Sequence, residues 1–186
     1  MLTLIIVAAV AIILVLIVIG MYNGLVRARL RVDEAWSQIE VQLKRRHDLI
    51  PNLVNAVKGY MDFEQDVLTM VTEARANAVT AGAQGPAAVA QAENQLTGTL
   101  RSLFAVMENY PQLRASENVG QLQEELTTTE NQISFSRQHY NATVLAYNTS
   151  IATVPTSIIA GMFGFVRREF FEAGPEAQAV PEVRLR

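Results

Sequence analysis

The chain has 186 residues, a formal net charge of −3 and no cysteine, and half of its residues are apolar. That length holds one membrane span and one modest domain, not two independent cores. The acidic balance with dispersed basic residues excludes a nucleic-acid footprint, and zero cysteines exclude disulfides, thiolate chemistry and a lipoprotein anchor.

The first predicted element spans residues 1–22. From Leu2 to Ile19 only Thr3 is polar, and no charged side chain precedes Arg27. Such a run crosses a hydrocarbon core of roughly 30 Å as a helix. A cleaved signal peptide needs a basic segment first, a shorter apolar stretch and small residues at a cleavage site. Here Met1 alone precedes the run and Gly20-Met21-Tyr22-Asn23 follows it, so the segment reads as a single-pass transmembrane helix. Basic residues beside a span stay in the cytoplasm. Arg27, Arg29 and Arg31 therefore predict an N-terminus outside and a domain in the cytoplasm. The same three arginines are candidates for contact with anionic lipid headgroups.

Residues 23–155 read as a helical domain. Val32, Trp36, Ile39, Leu43, Ile50, Leu53, Val57, Met61, Leu68 and Val71 recur at three- or four-residue steps, or at seven where one place is polar. Gly20 and Gly24 weaken the helix by only about 1 kcal/mol each, so the membrane helix should continue as a stalk into the first domain helix. Pro51 breaks the backbone pattern but not its phase. Two arrangements remain open: one long kinked helix from about residue 23 to 79, or two comparable helices folded back on each other. Ala81-Gly82-Ala83-Gln84-Gly85-Pro86 is a clear break, after which Pro86 restarts a helix carrying Val89, Leu96, Leu100, Leu103 and Met107. Tyr110-Pro111 should end that helix, and Ser116 before Glu117 should cap the next. The last helix carries Val119, Leu122, Leu126, Ile133, Tyr140, Val144, Tyr147 and Ile151, and Pro155 closes it. Strand signals are absent. The expected fold is all-α: a transmembrane helix continuing into an antiparallel four-helix bundle.

Beyond the domain, 156–171 is an apolar C-terminal segment too short to cross a membrane. It either caps the bundle or lies on a surface of lipid or of a partner. Residues 172–186, dominated by Gly, Pro, Ala and Glu, read as a disordered tail.

The chemistry of known enzyme classes is missing. A di-metal bundle site needs Glu-x-x-His pairs, yet Lys44 stands three before His47 and Ser136 three before His139. No phosphate-binding loop, HExxH or GxSxG occurs. The sequons at Asn141 and Asn148 fall on a helix, and Gly161-Met162-Phe163-Gly164 is weak for phosphate. No catalytic residue, cofactor or metal ligand is therefore assigned. Polar residues set close to the core stripes stand out: Arg45, Arg46 and Asp48 early, Glu130, Arg137 and Asn141 late. They form a candidate interhelical polar network, either ion pairs fixing helix register or a site for a peptide or lipid headgroup. Trp36, Ile158, Ile159, Met162, Phe163, Phe165, Phe170 and Phe171 are candidates for self-association, because the domain stripes already suffice to close one bundle and aromatics favour interface centres.

Several stretches together resemble the LemA family along almost the whole chain. They are Tyr22-Asn23, Leu25-Val26, Ala35-Trp36-Ser37-Gln38-Ile39-Glu40-Val41-Gln42-Leu43-Lys44-Arg45-Arg46, Asp48-Leu49-Ile50-Pro51-Asn52-Leu53-Val54 and Val57-Lys58-Gly59-Tyr60. Later come Glu93-Asn94-Gln95-Leu96, Tyr110-Pro111, Glu130-Asn131-Gln132-Ile133, Arg137, Tyr140-Asn141 and Tyr147-Asn148. The resemblance implies an N-terminal anchor, a four-helix bundle of bromodomain-type hand, and a true turn near Pro51. Where family members have a histidine after the Gly-Tyr, this chain reads Met61-Asp62-Phe63-Glu64. The resemblance implies no enzymatic activity. The expected protein is a non-enzymatic scaffold at the bacterial inner (cytoplasmic) membrane, self-associating into a ring or cage. Its expected partners are membrane lipid, further copies and an unidentified protein. The alternative is an accessory subunit binding a membrane protease or secretion partner.

Overall fold

A computed structural model describes residues 1–60 and 65–171. The described residues form helices and connections with no strand: α1 (Leu2–Lys58), α2 (Gln65–Ala81), α3 (Pro86–Met107), α4 (Pro111–Arg114), α5 (Glu117–Ala152) and α6 (Thr156–Met162). The expected tail at 172–186 and the departure from the family at 61–64 lie outside the described residues.

The all-helical expectation holds, and so do several of its boundaries. Gly85, at φ 99°, takes a left-handed conformation that an L side chain resists, and Pro86 opens α3 directly after it. Pro111 opens the short α4 where the sequence suggested only an end. The turn expected at Pro51 is absent. The helix runs through Pro51 to Lys58, and the chain turns at Gly59 and Tyr60. Proline lacks the N–H that would bond the carbonyl four residues back, that of His47. Arg75 of α2 donates its Nε–H to that carbonyl at 2.6 Å, so the orphaned acceptor finds a partner and the helix survives.

The chain divides into two compact units, Met1–Gln38 with Gln138–Glu169, and Ile39–Arg137 with Phe170 and Phe171.

In the first unit, Leu2 to Ile19 is exposed throughout. Its mean hydropathy reaches 3.5, and among the described residues α1 alone is long and apolar enough to cross a membrane. Below the apolar run, Leu25, Ile159 and Ala160 form a small core with Met21, Ile151 and Phe165. α6 ends in a Schellman arrangement: Gly164 at φ 71° lets the Phe165 N–H reach the Ala160 carbonyl at 2.9 Å. The extended segment after it runs antiparallel to α5 and is strapped there by side chains. Tyr147 donates to the Val166 carbonyl at 2.9 Å, and Tyr140 to the Glu169 carbonyl at 2.8 Å. Asn148 pairs with both backbone groups of Arg168 at 2.9 Å. Arg168 in turn meets Asp33 at 2.7 Å.

In the second unit one core draws on α1 (Ile50, Leu53, Val57), α2 (Leu68, Val71), α3 (Leu96, Leu100, Leu103), α4 (Leu113) and α5 (Val119, Leu126). The four long segments contribute a stripe each, as bundle packing requires.

Candidate functional site: a buried arginine–glutamate centre

The second unit holds a charged centre where three apolar stripes each yield one core position. On α1, Arg46 stands between Leu43 and Ile50. On α3, Glu93 stands between Val89 and Leu96. On α5, Glu130 stands between Leu126 and Ile133. Helical period turns all three inward. Arg46 and Glu93 are both 0% exposed, whereas the Glu130 side chain is 40% exposed.

The Arg46 guanidinium joins the three helices. Its Nη2 donates to a Glu93 carboxylate oxygen and, at 3.2 Å, to the Glu93 carbonyl. Its Nη1 donates to Glu130 and, at 3.0 Å, to the Thr97 hydroxyl. The second Glu93 oxygen lies 2.6 Å from His47 Nε2. Burial alone pushes the Glu93 carboxyl up. The His47 hydrogen bond and the Arg46 charge together outweigh it and hold the carboxyl below the usual glutamate range. Glu93 is therefore an ionised, doubly engaged carboxylate in the core. Such an arrangement costs desolvation, which only well-placed partners offset.

The sequence candidates fall into different places. Arg46 and Glu130 meet here. Arg137 is half-buried on α5: its Nη1 donates to Asn94 Oδ1 at 3.2 Å, and its guanidinium lies 4.5 Å over the Phe171 ring. Burial, first of several influences, pulls the Arg137 pKa down. Arg45 and Asp48 do not enter the centre. Each lies a step of about 100° or more around α1 from Arg46 and so faces solvent. Arg45 meets Glu125 at 3.8 Å, and Asp48 meets Lys44 of its own helix at 3.4 Å. Asn141 is half-buried in the first unit, outside the centre. Among the self-association candidates, Ile159 and Phe171 are buried in their own chain, which removes them from any surface. Trp36 is half-buried, with its ring 5.4 Å from Tyr140, and Phe165 is half-buried beside Tyr22. Ile158, Met162, Phe163 and Phe170 remain exposed. Arg27, Arg29 and Arg31 are exposed below the apolar run.

Glu93, His47 and Thr97 are the partners that sequence reading missed. The signal was the gap at 93 in the α3 stripe, the same sign that marked Arg46. Both Glu93 oxygens and both Arg46 terminal nitrogens are engaged, whereas the buried Arg46 Nε has no hydrogen-bond partner. The Thr97 hydroxyl points to Glu130 at 3.4 Å, not to His47. Among the described residues no cluster of three or more His, Cys, Asp or Glu could hold a metal ion. A cavity of about 150 Å³ opens beside Glu130 between Leu100, Phe104 and Leu126. A wider one of about 610 Å³ lies between α3, α4 and α5, with Met107, Glu108 and Leu113 on its walls.

An exposed apolar helix and a helical unit closed around a compensated charge centre define a membrane-associated, all-helical protein. A family model, that of the LemA family, matches residues 35–185, and the chain belongs to that family. It is 26% identical to magnetosome protein MamQ 2 of Paramagnetospirillum magneticum and to magnetosome protein MamQ of Magnetospirillum gryphiswaldense, in each case across 83% of this chain and 65% of the relative. The chain thus spans just under two thirds of the length of these relatives. It is also 26% identical to protein LemA of Metamycoplasma hominis, across 83% of this chain and 70% of that one.

Proposed function

We propose that this LemA-family protein is a non-catalytic scaffold that α1 anchors in the bacterial inner membrane, with its helical part in the cytoplasm. The observation that carries the reading is the exposed stretch Leu2 to Ile19 of α1, long and apolar enough to cross a membrane. Copies anchored in this way share the membrane plane, where raised effective concentration strengthens weak contacts. Self-association with closed symmetry, in a ring or cage, is part of the proposal, and the shared membrane plane supports it. The pairing of Arg46 with both Glu93 and Glu130 across three helices supports a structural role for the core charges. Relatives named as magnetosome proteins, not for a reaction, support an organising role as well. Orientation rests on Arg27, Arg29 and Arg31. A reporter fused after Arg186 tests it: activity only in a cytoplasmic assay is expected, and periplasmic alkaline phosphatase activity refutes it.

A second reading, an accessory subunit binding a protease or secretion partner, draws on the wide cavity between α3, α4 and α5. Size separates the two. A scaffold purifies alone as a large homo-oligomer, and an accessory subunit as a small species dependent on its partner.

A further inference from the structure

Leu2 to Met21 is about 20 residues, the length that crosses a hydrocarbon core of about 30 Å. Tyr22 then stands at the boundary between acyl chains and headgroups. The C-terminal segment comes back to this level. The Phe163 ring lies 4.8 Å from the Tyr22 ring and the Phe165 ring 5.8 Å from it. One face of α6 is occupied, with Ile159 and Ala160 packed against Leu25. Beside it an apolar surface is exposed: Ile158, Met162 at 73% exposure, Phe163 with its ring against Tyr22, and Val166 at 71% just beyond. A surface element that faced water would carry polar residues there.

We propose that this face is a lipid-interface collar, in which Ile158, Met162, Phe163 and Val166 enter the headgroup–acyl boundary of the bilayer that α1 crosses. Three observations choose lipid over a protein occupant. The patch is continuous, through the Tyr22–Phe163 contact, with the segment that spans the membrane. Aromatic rings at a span's end form the belt typical of this depth. The flanking charge is basic: Arg29 sits 5.6 Å over the Phe165 ring, and Arg27, Arg31 and Arg167 are exposed nearby in sequence. Anionic headgroups complement that charge. The Gly164 turn and the Tyr147 and Asn148 straps hold the segment at this height, so the collar depends on side chains buried in its own unit. The inference needs α1 to span a bilayer, but it does not need self-association.

The absence of cysteine permits a single nitroxide label at any chosen site. Full-length Met162→Cys and Val166→Cys, labelled and placed in phosphatidylethanolamine–phosphatidylglycerol vesicles, would be compared with Val41→Cys, an exposed site in the second unit. The ratio of oxygen to nickel-chelate accessibility should be several-fold higher at 162 and 166 than at 41. A ratio equal to that at Val41→Cys would place the face in water and overturn the proposal. Strong dipolar broadening with low access to both reagents would assign the face to a second copy, and would overturn it too. Leu14→Cys serves as the reference for the span. A lipid reading there with an aqueous reading at 162 sinks the collar alone, whereas an aqueous reading at Leu14→Cys sinks the anchoring and the collar with it.

Discussion

Replacing Glu93 with alanine should be among the most damaging single changes in the second unit. Glu93 is fully buried and meets Arg46, itself fully buried, along with His47. Removing its carboxylate leaves the guanidinium with Glu130 and Thr97 on Nη1 and only the backbone carbonyl of residue 93 on Nη2. Breaking a buried pair from one side costs roughly 3–5 kcal/mol, because the remaining charge stays desolvated. For a chain of this size that corresponds to a melting shift on the order of 10 °C. Glu130→Ala should cost less, about 1–2 kcal/mol, since water reaches that carboxylate and Arg46 retains Glu93. The paired change Arg46→Met with Glu93→Leu should recover most of the loss, as apolar replacements of buried ion pairs often do. The assay is thermal unfolding of the full-length chain in detergent, followed by helical circular dichroism. Melting of Glu93→Ala within a degree or two of the parent, or a larger loss at Glu130 than at Glu93, would refute the buried centre.

Three further outcomes follow from other contacts. The depressed Glu93 carboxyl contributes stability that is complete above the unfolded glutamate pKa, about 4.3. That stability is lost as pH falls through the lower folded value, and Glu93→Gln should flatten this acid limb; an unchanged limb in acid melts would contradict it. Arg75→Met should cost about 1 kcal/mol by orphaning the His47 carbonyl. Pro51→Ala, which restores a backbone N–H to that carbonyl, should abolish the cost, and additivity of the two changes in urea titrations would rule out the explanation. Phe171→Ala should cost about 3 kcal/mol, because the ring is fully buried against Arg137; unaltered melting would place Phe171 outside the core.

Much of the fold was readable because it depends on local pattern. The apolar run, the stripes and the Gly85-Pro86 restart all act within a few residues. The course of α1 through Pro51 was not readable, since the donor that rescues it lies 28 residues away on another helix. The place of the C-terminal segment was hidden for the same reason. Tyr140, Tyr147 and Asn148 looked like stripe positions and sequons, yet their polar ends hold a strap 19 to 29 residues downstream. A buried tyrosine hydroxyl demands a partner, but the sequence does not say which. Gly164, dismissed as a phosphate ligand, works as a helix terminator. In the charged centre, one residue per stripe was visible as a gap. Arg46 and Glu130 were picked out, while Glu93 passed unnoticed within a family motif. Arg45 and Asp48 were drawn in only by closeness along the chain, which on a helix turns them about 100° or more away from Arg46.

The central claim, that anchored copies assemble into a scaffold, is tested most directly by the mass of the purified full-length protein. Light scattering in mild detergent at micromolar concentration, with no added partner, should return a closed homo-oligomer of many chains. A single chain under those conditions would contradict the account.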